Sequence, residues 1–514
     1  MLLISVSLAA GVIRLAKKRI LVQNLYSLET LAHADILCLD KTGTVTDGSM
    51  KVRSVIPMAK LPAGQMDALV QSYTAACVDN NATIAALKEK FPPDAVYKAS
   101  HVIPFSSARK WGCISFEGAG SVFVGAPERI LGTLPENLSR ELERGRRIVA
   151  VGYSGREWED HACLPGKIQP LYAVVLEDTI RKGAENTLEF FRKEGEKVKI
   201  ISGDHIKTVS MTAKRAGLAS WQSAVDLSAL GEKADYEEIC EKYDVFARVT
   251  PAQKKELVKA LQRRGHKVAM TGDGVNDLLA LREADCSIAV EDGSEASRQI
   301  AQVVLLDSDF TNLPQVVMEG RRVIHNVTRT AGVFFIKTIY STLVSLICLL
   351  GNFPFPFIPI QITLVDACIE AYPSFLTIWE SETGRIKGGF LKTALANALP
   401  YGLAVTAMIG IISLCSPFTQ AETQTIMYLL LIFISMAAVI RSCIPFTRLR
   451  IFLCTTMLLG TAAALYILPG VFEISPITSS MAAYLALGGT VSAVFLLAAE
   501  NLAKFRLAYG TSGV

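Results

Sequence analysis

The C-terminal third of the chain contains six apolar stretches, each about as long as a membrane-spanning helix. Residues 331–514 carry only nine Lys or Arg and seven Asp or Glu among 184 positions. A helix of about 20 mostly apolar residues crosses the hydrocarbon core of a bilayer. We therefore predict six transmembrane helices, at 331–351, 357–379, 393–415, 424–443, 451–471 and 479–500.

Every second loop beside these stretches is basic, and an excess of Lys and Arg is typical of cytoplasmic loops. The basic loops and the large polar region before residue 330 are therefore predicted to be cytoplasmic. The net charge of the chain is only +4, which favours no nucleic-acid partner. The basic residues of these loops are Arg321, Arg322, Arg329, Arg385, Lys387, Lys392, Arg441, Arg448, Arg450, Lys504 and Arg506.

The first 13 residues are apolar and end at a basic cluster. Residues 14–19 contain two Arg and two Lys. Thirteen residues are too few to span a bilayer, and a signal peptide has its basic residues first. We interpret the segment as the second half of a transmembrane helix and expect the chain to be a truncated fragment. A short interfacial anchor is the alternative.

Residues 35–330 alternate short apolar or β-branched runs with amphipathic stretches such as 252–263. This alternation predicts a doubly wound α/β domain with a parallel sheet. Residues 51–170 interrupt it with strand-like runs of their own, and we interpret them as an inserted domain. The predicted buried strands are 36–39, 198–201, 268–270, 287–290 and 303–306.

Acid-bearing loops directly follow two of these strands, where doubly wound folds place their chemistry. Asp40 opens the run Asp-Lys-Thr-Gly-Thr, and Asp273 and Asp277 lie in Thr-Gly-Asp-Gly-Val-Asn-Asp at 271–277. A carboxylate at a strand end can form an aspartyl-phosphate. Two carboxylates four residues apart suit a hard cation such as Mg²⁺. Taken alone, an acid in a loop is most often a turn residue or a helix cap.

Two further segments offer groups that bind phosphate. Pro251 starts a helix on which Lys254 could clamp a phosphate. Ser202, Gly203 and Asp204 follow another strand and offer a hydroxyl and backbone donors. Together with the acidic loops, these groups predict phosphoryl transfer.

The sequence resembles the P-type ATPases, whose phosphorylation domain belongs to the haloacid-dehalogenase-like superfamily. Asp-Lys-Thr-Gly-Thr at 40–44 and Gly-Asp-Gly-Val-Asn-Asp at 272–277 match its signature motifs in order. The resemblance implies a multidomain α/β plus α-helical membrane protein. Its parts are a Rossmann-like phosphorylation domain, an inserted α+β nucleotide-binding domain and a C-terminal transmembrane helix bundle.

The domain limits follow from the resemblance and the apolar pattern together. They are 1–20 for the end of a transmembrane helix and its stalk, 21–50 and 171–328 for the phosphorylation domain, 51–170 for the nucleotide-binding domain, and 329–507 for six transmembrane helices.

The family's roles at the phosphorylation site carry over to matching positions. The resemblance makes Asp40 the phosphorylated nucleophile. It makes Asp40, Asp273 and the carbonyl of Thr42 the Mg²⁺ ligands, with Asp277 supporting the site. The residues that it places on the transferred phosphoryl group are Lys254, Asn276 and Ser202.

The resemblance also implies an ATP site. The run Phe-Ser-Ser-Ala-Arg-Lys at 105–110 resembles the segment whose Phe stacks on adenine, and Val124 replaces the Lys of the family's Lys-Gly-Ala motif. This departure would remove one base contact. The implied nucleotide-binding residues are Phe105, Arg109, Lys110, Gly125, Arg147, Asp178, Arg181, Gly203, Asp204 and Arg248.

The second predicted span contains two acids, and membrane carboxylates are costly and usually functional. Asp366 and Glu370 are four residues apart, so a helix would carry them on one face. The resemblance places them on ion-coordinating positions, and oxygen ligands favour Ca²⁺, Mg²⁺ or Mn²⁺. The alternative is a structural pair bonded to Lys337, Thr338 or Tyr340.

The resemblance leads us to expect ATP-driven transport of a hard divalent cation by an integral protein of a bacterial plasma membrane, with cytoplasmic catalytic domains. The expected partners are ATP, the cation and the lipid bilayer. The family's actuator domain and first three spans have no match in the sequence, so we expect phosphorylation without a complete transport cycle. The alternatives are a phospholipid flippase, an inactive remnant or a membrane-tethered phosphatase.

Overall fold

The computed structural model describes residues 2–509, apart from 25, 60–61, 107–108, 162, 231–233, 353, 381 and 387–388. Ser107, Ala108 and Lys387 of the predicted segments therefore lie outside the described residues, as do the side chains of Lys504 and Arg506. The chain forms two compact units: Leu15–Val316, and Met1–Arg14 with Val317–Val514.

Two β-sheets lie within the first unit. The strands of the described residues are β1 Ile20–Val22, β2 Ile36–Asp40, β3 Thr46–Pro57, β4 Ala99–Ser106, β5 Trp111–Phe116, β6 Gly120–Gly125, β7 Arg147–Ser154, β8 Gln169–Ile180, β9 Lys197–Ile201, β10 Ala224–Asp226, β11 Val245–Ala247, β12 Val268–Gly272, β13 Cys286–Val290 and β14 Val303–Leu305.

Helices connect the strands and make up most of the second unit. The α-helices of the described residues are α1 Leu2–Ala16, α2 Ser27–Ala32, α3 Ala63–Ala76, α4 Ala82–Lys90, α5 Pro127–Ile130, α6 Glu136–Glu143, α7 Ala184–Lys193, α8 Ile206–Arg215, α9 Tyr236–Lys242, α10 Pro251–Arg263, α11 Leu278–Glu283, α12 Glu295–Ile300, α13 Leu313–Gly351, α14 Pro359–Leu364, α15 Tyr372–Thr377, α16 Phe390–Cys415, α17 Gln420–Ser442, α18 Arg448–Ile467 and α19 Ser479–Tyr509.

The larger sheet has eight strands in the order β1-β14-β13-β12-β2-β9-β11-β10. All neighbours are parallel except β1, which runs antiparallel to β14. Strands β2, β12 and β13 are buried along their whole length, as expected where helices cover both faces of a parallel sheet. The predicted doubly wound α/β domain is confirmed, and each predicted strand matches to within about two residues.

The strand order places the predicted motifs side by side. β2 lies between β12 and β9, with Cys38 opposite Met270 and Asp40 opposite Ile201. The loops after these three strands therefore emerge at the same edge of the sheet. The acids after β2 and β12 and the Ser-Gly-Asp run after β9 meet there because parallel neighbours end on one side.

The smaller sheet has six antiparallel strands in the order β3-β8-β7-β6-β5-β4. Its core lies where α3 and α4 pack on the sheet and includes Leu69, Tyr73, Phe116 and Val174. β3 and β8 are both 12 residues long. The sheet extends from residue 46 to 180, slightly beyond the 51–170 assigned to the inserted domain.

Five helices of the described residues, lying almost wholly in the second unit, are long and apolar enough to cross a membrane, judged by length and composition. The second predicted span differs from the other five. Over 359–377, α14 is followed by a π-helical segment, Val365–Ala371, and then by α15. The five long helices are Phe310–Gly351, Phe390–Cys415, Gln420–Ser442, Arg448–Ile467 and Ser479–Ala499.

Candidate active site

Asp40 is the last residue of β2, and its side chain is only 9% exposed. Its backbone N–H donates to Oγ1 of Thr271 on β12 at 3.2 Å, and its Oδ2 accepts from the backbone N–H of Thr42 at 3.2 Å. These bonds hold the carboxylate in one orientation at the carboxyl edge of the larger sheet.

The loop after Asp40 turns tightly at Gly43. This glycine has a φ of +70°, and a Cβ there would lie 1.9 Å from Oδ2 of Asp273. Glycine alone combines this backbone conformation with so close an approach. Arg181, directly after β8, supports the turn by donating to the carbonyls of Gly43 and Thr44, both at 3.0 Å.

Lys254 joins the acids of two different loops. Its Nζ donates to Oδ1 of Asp40 at 2.6 Å and to Oδ1 of Asp277 at 2.5 Å. Thr250 positions the lysine because it caps α10 in a reciprocal capping box with Gln253. A buried ammonium thus holds the two carboxylates together.

Three buried or half-buried carboxylates share this one ammonium. Burial raises the pKa of Asp40 to about 7; Lys254 lowers that pKa, while the charges of Asp277 and Asp273 raise it. Burial likewise raises the pKa of Asp273, and the charge of Asp277 adds to the effect. The cluster therefore holds more negative charge than Lys254 neutralises.

The donor set fits a Mg²⁺ ion. One carboxylate oxygen from each of Asp40, Asp273 and Asp277 lies within 4.8 Å of the others, and Mg²⁺ prefers oxygen ligands of this kind. Oδ2 of Asp273 packs against Gly43, so this acid lies directly beside the loop that follows Asp40. The carbonyl of Thr42 stays a predicted ligand.

A second buried lysine, Lys41, organises the neighbouring loops. Its Nζ lies 2.6 Å from Oδ2 of Asp178 and 2.7 Å from Oδ2 of Asp204. Both acids are predicted nucleotide contacts, and here each pairs with the residue that follows Asp40. At Gly203 a Cβ would make an ordinary contact of 3.7 Å with the carbonyl oxygen of Val249.

The remaining predicted residues flank this cluster. Ser202 is buried, and its Oγ accepts from the backbone N–H of Asp204 at 3.2 Å. Asn276 is exposed in the turn Val275–Asp277. Nε of Arg248 lies 3.6 Å from Oδ2 of Asp226.

A cavity of about 640 Å³ opens beside the smaller sheet. Three predicted nucleotide residues, Phe105, Gly125 and Arg147, contribute to its wall. A Cβ at Gly125 would approach the carbonyl oxygen of Lys110 to 2.4 Å, so glycine is needed for the two strands to lie this close. Val124 also lines the cavity, at the position where the family has Lys.

Arg109 and Lys110 are not among the residues that line this cavity. One guanidinium nitrogen of Arg109 donates to the carbonyl of Pro104 at 2.6 Å, and the group lies over the ring of Trp111. Lys110 pairs with Glu128 at 3.2 Å. Both side chains therefore engage the protein itself.

The two membrane carboxylates lie in the π-helical segment of the second unit. Lys337 Nζ donates to Oδ1 and Oδ2 of Asp366 at 2.7 and 2.6 Å. Glu370 is 2% exposed, and its Oε2 has no hydrogen-bond partner among the described residues; the same holds for the hydroxyl of Tyr340. π-Helical turns are frequent at functional sites.

Comparison with known proteins identifies the family of the chain. A family model for haloacid dehalogenase-like hydrolases matches residues 34–285. The probable cation-transporting ATPase exp7 of Streptococcus pneumoniae is 40% identical over 519 residues, covering 98% of this chain and 67% of that protein. The chain belongs to the P-type cation-transporting ATPases.

Other relatives have related names. The calcium-transporting ATPase CtpE of Mycobacterium tuberculosis is 39% identical over 425 residues, covering 79% of this chain and 52% of the relative. The putative cation-transporting ATPase MJ1226 of Methanocaldococcus jannaschii is 31% identical over 372 residues, 65% of this chain and 44% of the relative. The chain thus spans about two thirds of the first relative and about half of these two.

P-type ATPases as a family use ATP and Mg²⁺, and the five apolar helices support an integral membrane protein. The matched region, 34–285, contains both signature motifs and the whole smaller sheet. In this P-type ATPase chain, sequence reasoning missed Lys41 and the cavity residues Tyr73, Asn81 and Glu128. No local pattern marks the cavity residues, since folding alone brings them together.

Proposed function

We propose that the chain carries the phosphorylation, nucleotide-binding and ion-binding parts of an ATP-driven pump for a hard cation of the Ca²⁺, Mg²⁺ or Mn²⁺ class. The observation that carries the proposal is the buried link from Lys254 to both Asp40 and Asp277. A solvated turn residue or helix cap needs no such ammonium, whereas a nucleophile that must approach a phosphate does.

In this mechanism, one carboxylate oxygen of Asp40 attacks the γ-phosphorus of ATP while the bond to the leaving ADP oxygen breaks. Lys254 holds Asp40 in line and faces the incoming phosphoryl oxygens. Arg181 keeps the loop at Gly43 and Thr44 in shape through its two carbonyl contacts. Mg²⁺, held by Asp40, Asp273 and the carbonyl of Thr42, would neutralise the charge that repels a carboxylate from a phosphate.

The cavity beside the smaller sheet is the proposed ATP site. Phe105 is 44% exposed at its wall, which leaves a ring face free to stack on a base. Arg147 contributes a positively charged side chain to the wall of the cavity and would bind the phosphates of ATP. The roles of Ser202, Asn276 and Arg248 toward phosphate remain part of the same proposal.

Asp366 and Glu370 are the proposed ligands of the transported cation. Carboxylates within a predicted membrane segment need a positive partner. Lys337 pairs directly with Asp366, which is partly exposed, whereas Glu370 is buried. Oxygen ligands select hard cations over soft metals. The names of the M. tuberculosis and S. pneumoniae relatives agree with cation transport. The alternating basic loops support catalytic domains on the cytoplasmic side of the membrane, which we propose to be a bacterial plasma membrane.

The test is acid-stable labelling of the purified chain with γ-phosphate-labelled ATP and Mg²⁺. We expect a label that hydroxylamine releases and that Asp40→Asn abolishes. Asp47→Asn, an exposed acid on β3, is the matched control and should label normally. A chain that binds ATP and stays unlabelled, or a label that survives Asp40→Asn, would contradict the assignment.

A second measurement addresses the cation. Label formation should depend on one of Ca²⁺, Mn²⁺ or added Mg²⁺, and Glu370→Gln should shift that dependence to higher ion concentration. Dependence on a phospholipid with no dependence on any ion would favour a flippase instead. Hydrolysis of small phosphate esters with neither dependence would favour a membrane-tethered phosphatase.

A further inference from the structure

Two of the chain's six histidines meet at one side of the smaller sheet. Nε2 of His101, on β4, lies 3.4 Å from Nε2 of His161, in the loop between β7 and β8. The two rings are perpendicular, with centroids 5.5 Å apart. His161 is exposed and His101 half-buried, so solvent and ions reach the pair.

The distance between the two nitrogens is long for a hydrogen bond, and it also suits two ligands of one ion. Ordinary N–H hydrogen bonds have donor–acceptor distances of about 2.7–3.2 Å, and 3.4 Å exceeds that range. Histidine nitrogens bind Zn²⁺ at about 2.0–2.1 Å. Two such ligands at tetrahedral positions lie roughly 3.3–3.4 Å apart.

Hydrogen bonds that do not involve the histidines hold the loop of His161 against the sheet. The backbone N–H of Trp158 donates to Oγ of Ser115 at 3.0 Å, and that hydroxyl donates back to the Trp158 carbonyl at 2.8 Å. The indole N–H of Trp158 donates to the carbonyls of Asp160 and Cys163, at 3.2 and 3.0 Å. Trp158 thus holds a loop residue on either side of His161.

A second bond ties the same loop to β4. Ser100, next to His101, donates to Oε2 of Glu157 at 2.9 Å. The loop is therefore tied to β5 through Ser115 and to β4 through Ser100. Binding an ion there requires little ordering of the chain, which lowers the cost of binding.

We propose that His101 and His161 form a binding site for a divalent transition-metal ion of the Zn²⁺, Ni²⁺ or Co²⁺ class, with water at the remaining positions. Imidazole suits these metals, whereas Ca²⁺ and Mg²⁺ prefer oxygen ligands. The site thus takes a different class of ion from Asp366 and Glu370. It stands whether or not the chain transports a cation.

The site lies on the strand that leads to the nucleotide cavity. β4 carries both His101 and Phe105, and the backbone N–H of Phe105 is held by Oδ2 of Asp79 at 3.0 Å. An ion bound by the pair cross-links β4 to the loop of Trp158. Its occupancy therefore stiffens the strand on which Phe105 faces the proposed ATP site, which gives the metal a route to regulate nucleotide binding.

Isothermal titration calorimetry with Ni²⁺ tests the site. The full chain is first treated with chelator and freed of any polyhistidine tag. We expect one saturable equivalent in the wild type that is lost in both His101→Gln and His161→Gln. His33→Gln is the matched control, because His33 lies at the end of α2 in the other sheet domain, and it should bind like the wild type.

Thermal unfolding distinguishes a variant that has lost the metal site from a variant that has lost its fold. The three variants should unfold at the wild-type temperature in chelator, and Ni²⁺ should raise that temperature only for the wild type and His33→Gln, since a ligand stabilises the state that binds it. Retention of the equivalent by both pair variants would overturn the proposal. So would the absence of any saturable binding in the folded wild type.

Discussion

Lys337 donates to both carboxylate oxygens of Asp366, at 2.7 and 2.6 Å. Four residues further on, Glu370 is buried, and its Oε2 has no hydrogen-bond partner among the described residues. The ammonium of Lys337 therefore donates its hydrogen bonds to one of the two acids, whereas the other acid is the proposed ligand of an external cation. A divalent ion that uses both acids has to compete with Lys337 for Asp366.

Lys337→Met should therefore strengthen cation binding. A partly exposed ion pair contributes up to about 1 kcal/mol, so removing the competitor should raise the apparent affinity for the ion by roughly fivefold. The rise in unfolding temperature on adding Ca²⁺ or Mn²⁺ measures this change. Lys392→Met, an exposed lysine on α16, is the control. Weaker stabilisation in Lys337→Met would mean that Lys337 holds the ion site in shape instead.

The fold was largely predictable because the apolar strands are short, β-branched and completely buried. Asp40 and Asp273 were expected to meet because they end neighbouring parallel strands, and the structure brings them together at Gly43. The partners of Lys41 were not predictable. Asp178 lies 137 residues away, and nothing near Lys41 in the sequence indicates that its ammonium is buried.

The π-helical segment at 365–371 also escaped prediction. Apolar periodicity identifies a membrane helix by its length and hydropathy, and one wider turn leaves both almost unchanged. The sequence predicted that Asp366 and Glu370 lie in one helical stretch, and both lie in this segment. Their unequal partners could not be predicted, because the ammonium that pairs with Asp366 belongs to Lys337, on α13, a different helix.

Gly43→Ala should abolish phosphorylation by displacing Asp273. The new Cβ would lie 1.9 Å from Oδ2 of Asp273, so either the loop or this proposed Mg²⁺ ligand must move. Gly48→Ala is a matched control: Gly48 has a similar φ of +78°, but nothing lies within 4 Å of its Cβ position.

An alanine at position 43 or at position 48 has a similar backbone strain of about 1–2 kcal/mol, because both positions have a positive φ. A difference between the two variants therefore reports the clash alone. Mg²⁺-dependent acid-stable labelling measures it, and we expect label in Gly48→Ala and none in Gly43→Ala. Equal labelling of the two would show that Asp273 is free to shift without harm.

Lys254→Met should both prevent labelling and destabilise the first unit. Removing one partner of a buried ion pair costs about 3–5 kcal/mol, because the remaining charge stays buried and unpaired. Here two acids, Asp40 and Asp277, lose the same partner. Added Mg²⁺ should recover part of the loss because it restores positive charge among the carboxylates.

Lys255→Met is the control for this loss. Lys255 is the next residue on α10, is about one third exposed and lies 3.9 Å from Glu283, so its removal should cost less than about 1 kcal/mol. Unfolding in urea, with and without Mg²⁺, compares the two variants. A similar midpoint for both would contradict the buried bridge.

Arg450 and Arg329 enclose Glu380, which follows α15 and is 7% exposed. Arg450 contacts both carboxylate oxygens, at 2.5 and 2.7 Å, and Arg329 contacts one of them at 2.5 Å. The acid thus ties α13 and α18 to the segment after the π-helical turn. Both arginines also contact Glu382, at 3.1 Å from Arg450 and 2.7 Å from Arg329. Arg450→Met should therefore destabilise the second unit by about 3–5 kcal/mol, as for a broken buried pair, because Arg329 alone then faces two acids.

A double-mutant cycle separates this contact from general damage to α18. Glu380→Gln combined with Arg450→Met should cost less than the sum of the two single variants, since the first change removes the partner that the second would lose. Arg448→Met, an exposed arginine in the same helical turn, should be additive with Glu380→Gln. Additivity for Arg450 as well, measured by thermal unfolding in detergent, would mean that the two charges do not stabilise each other.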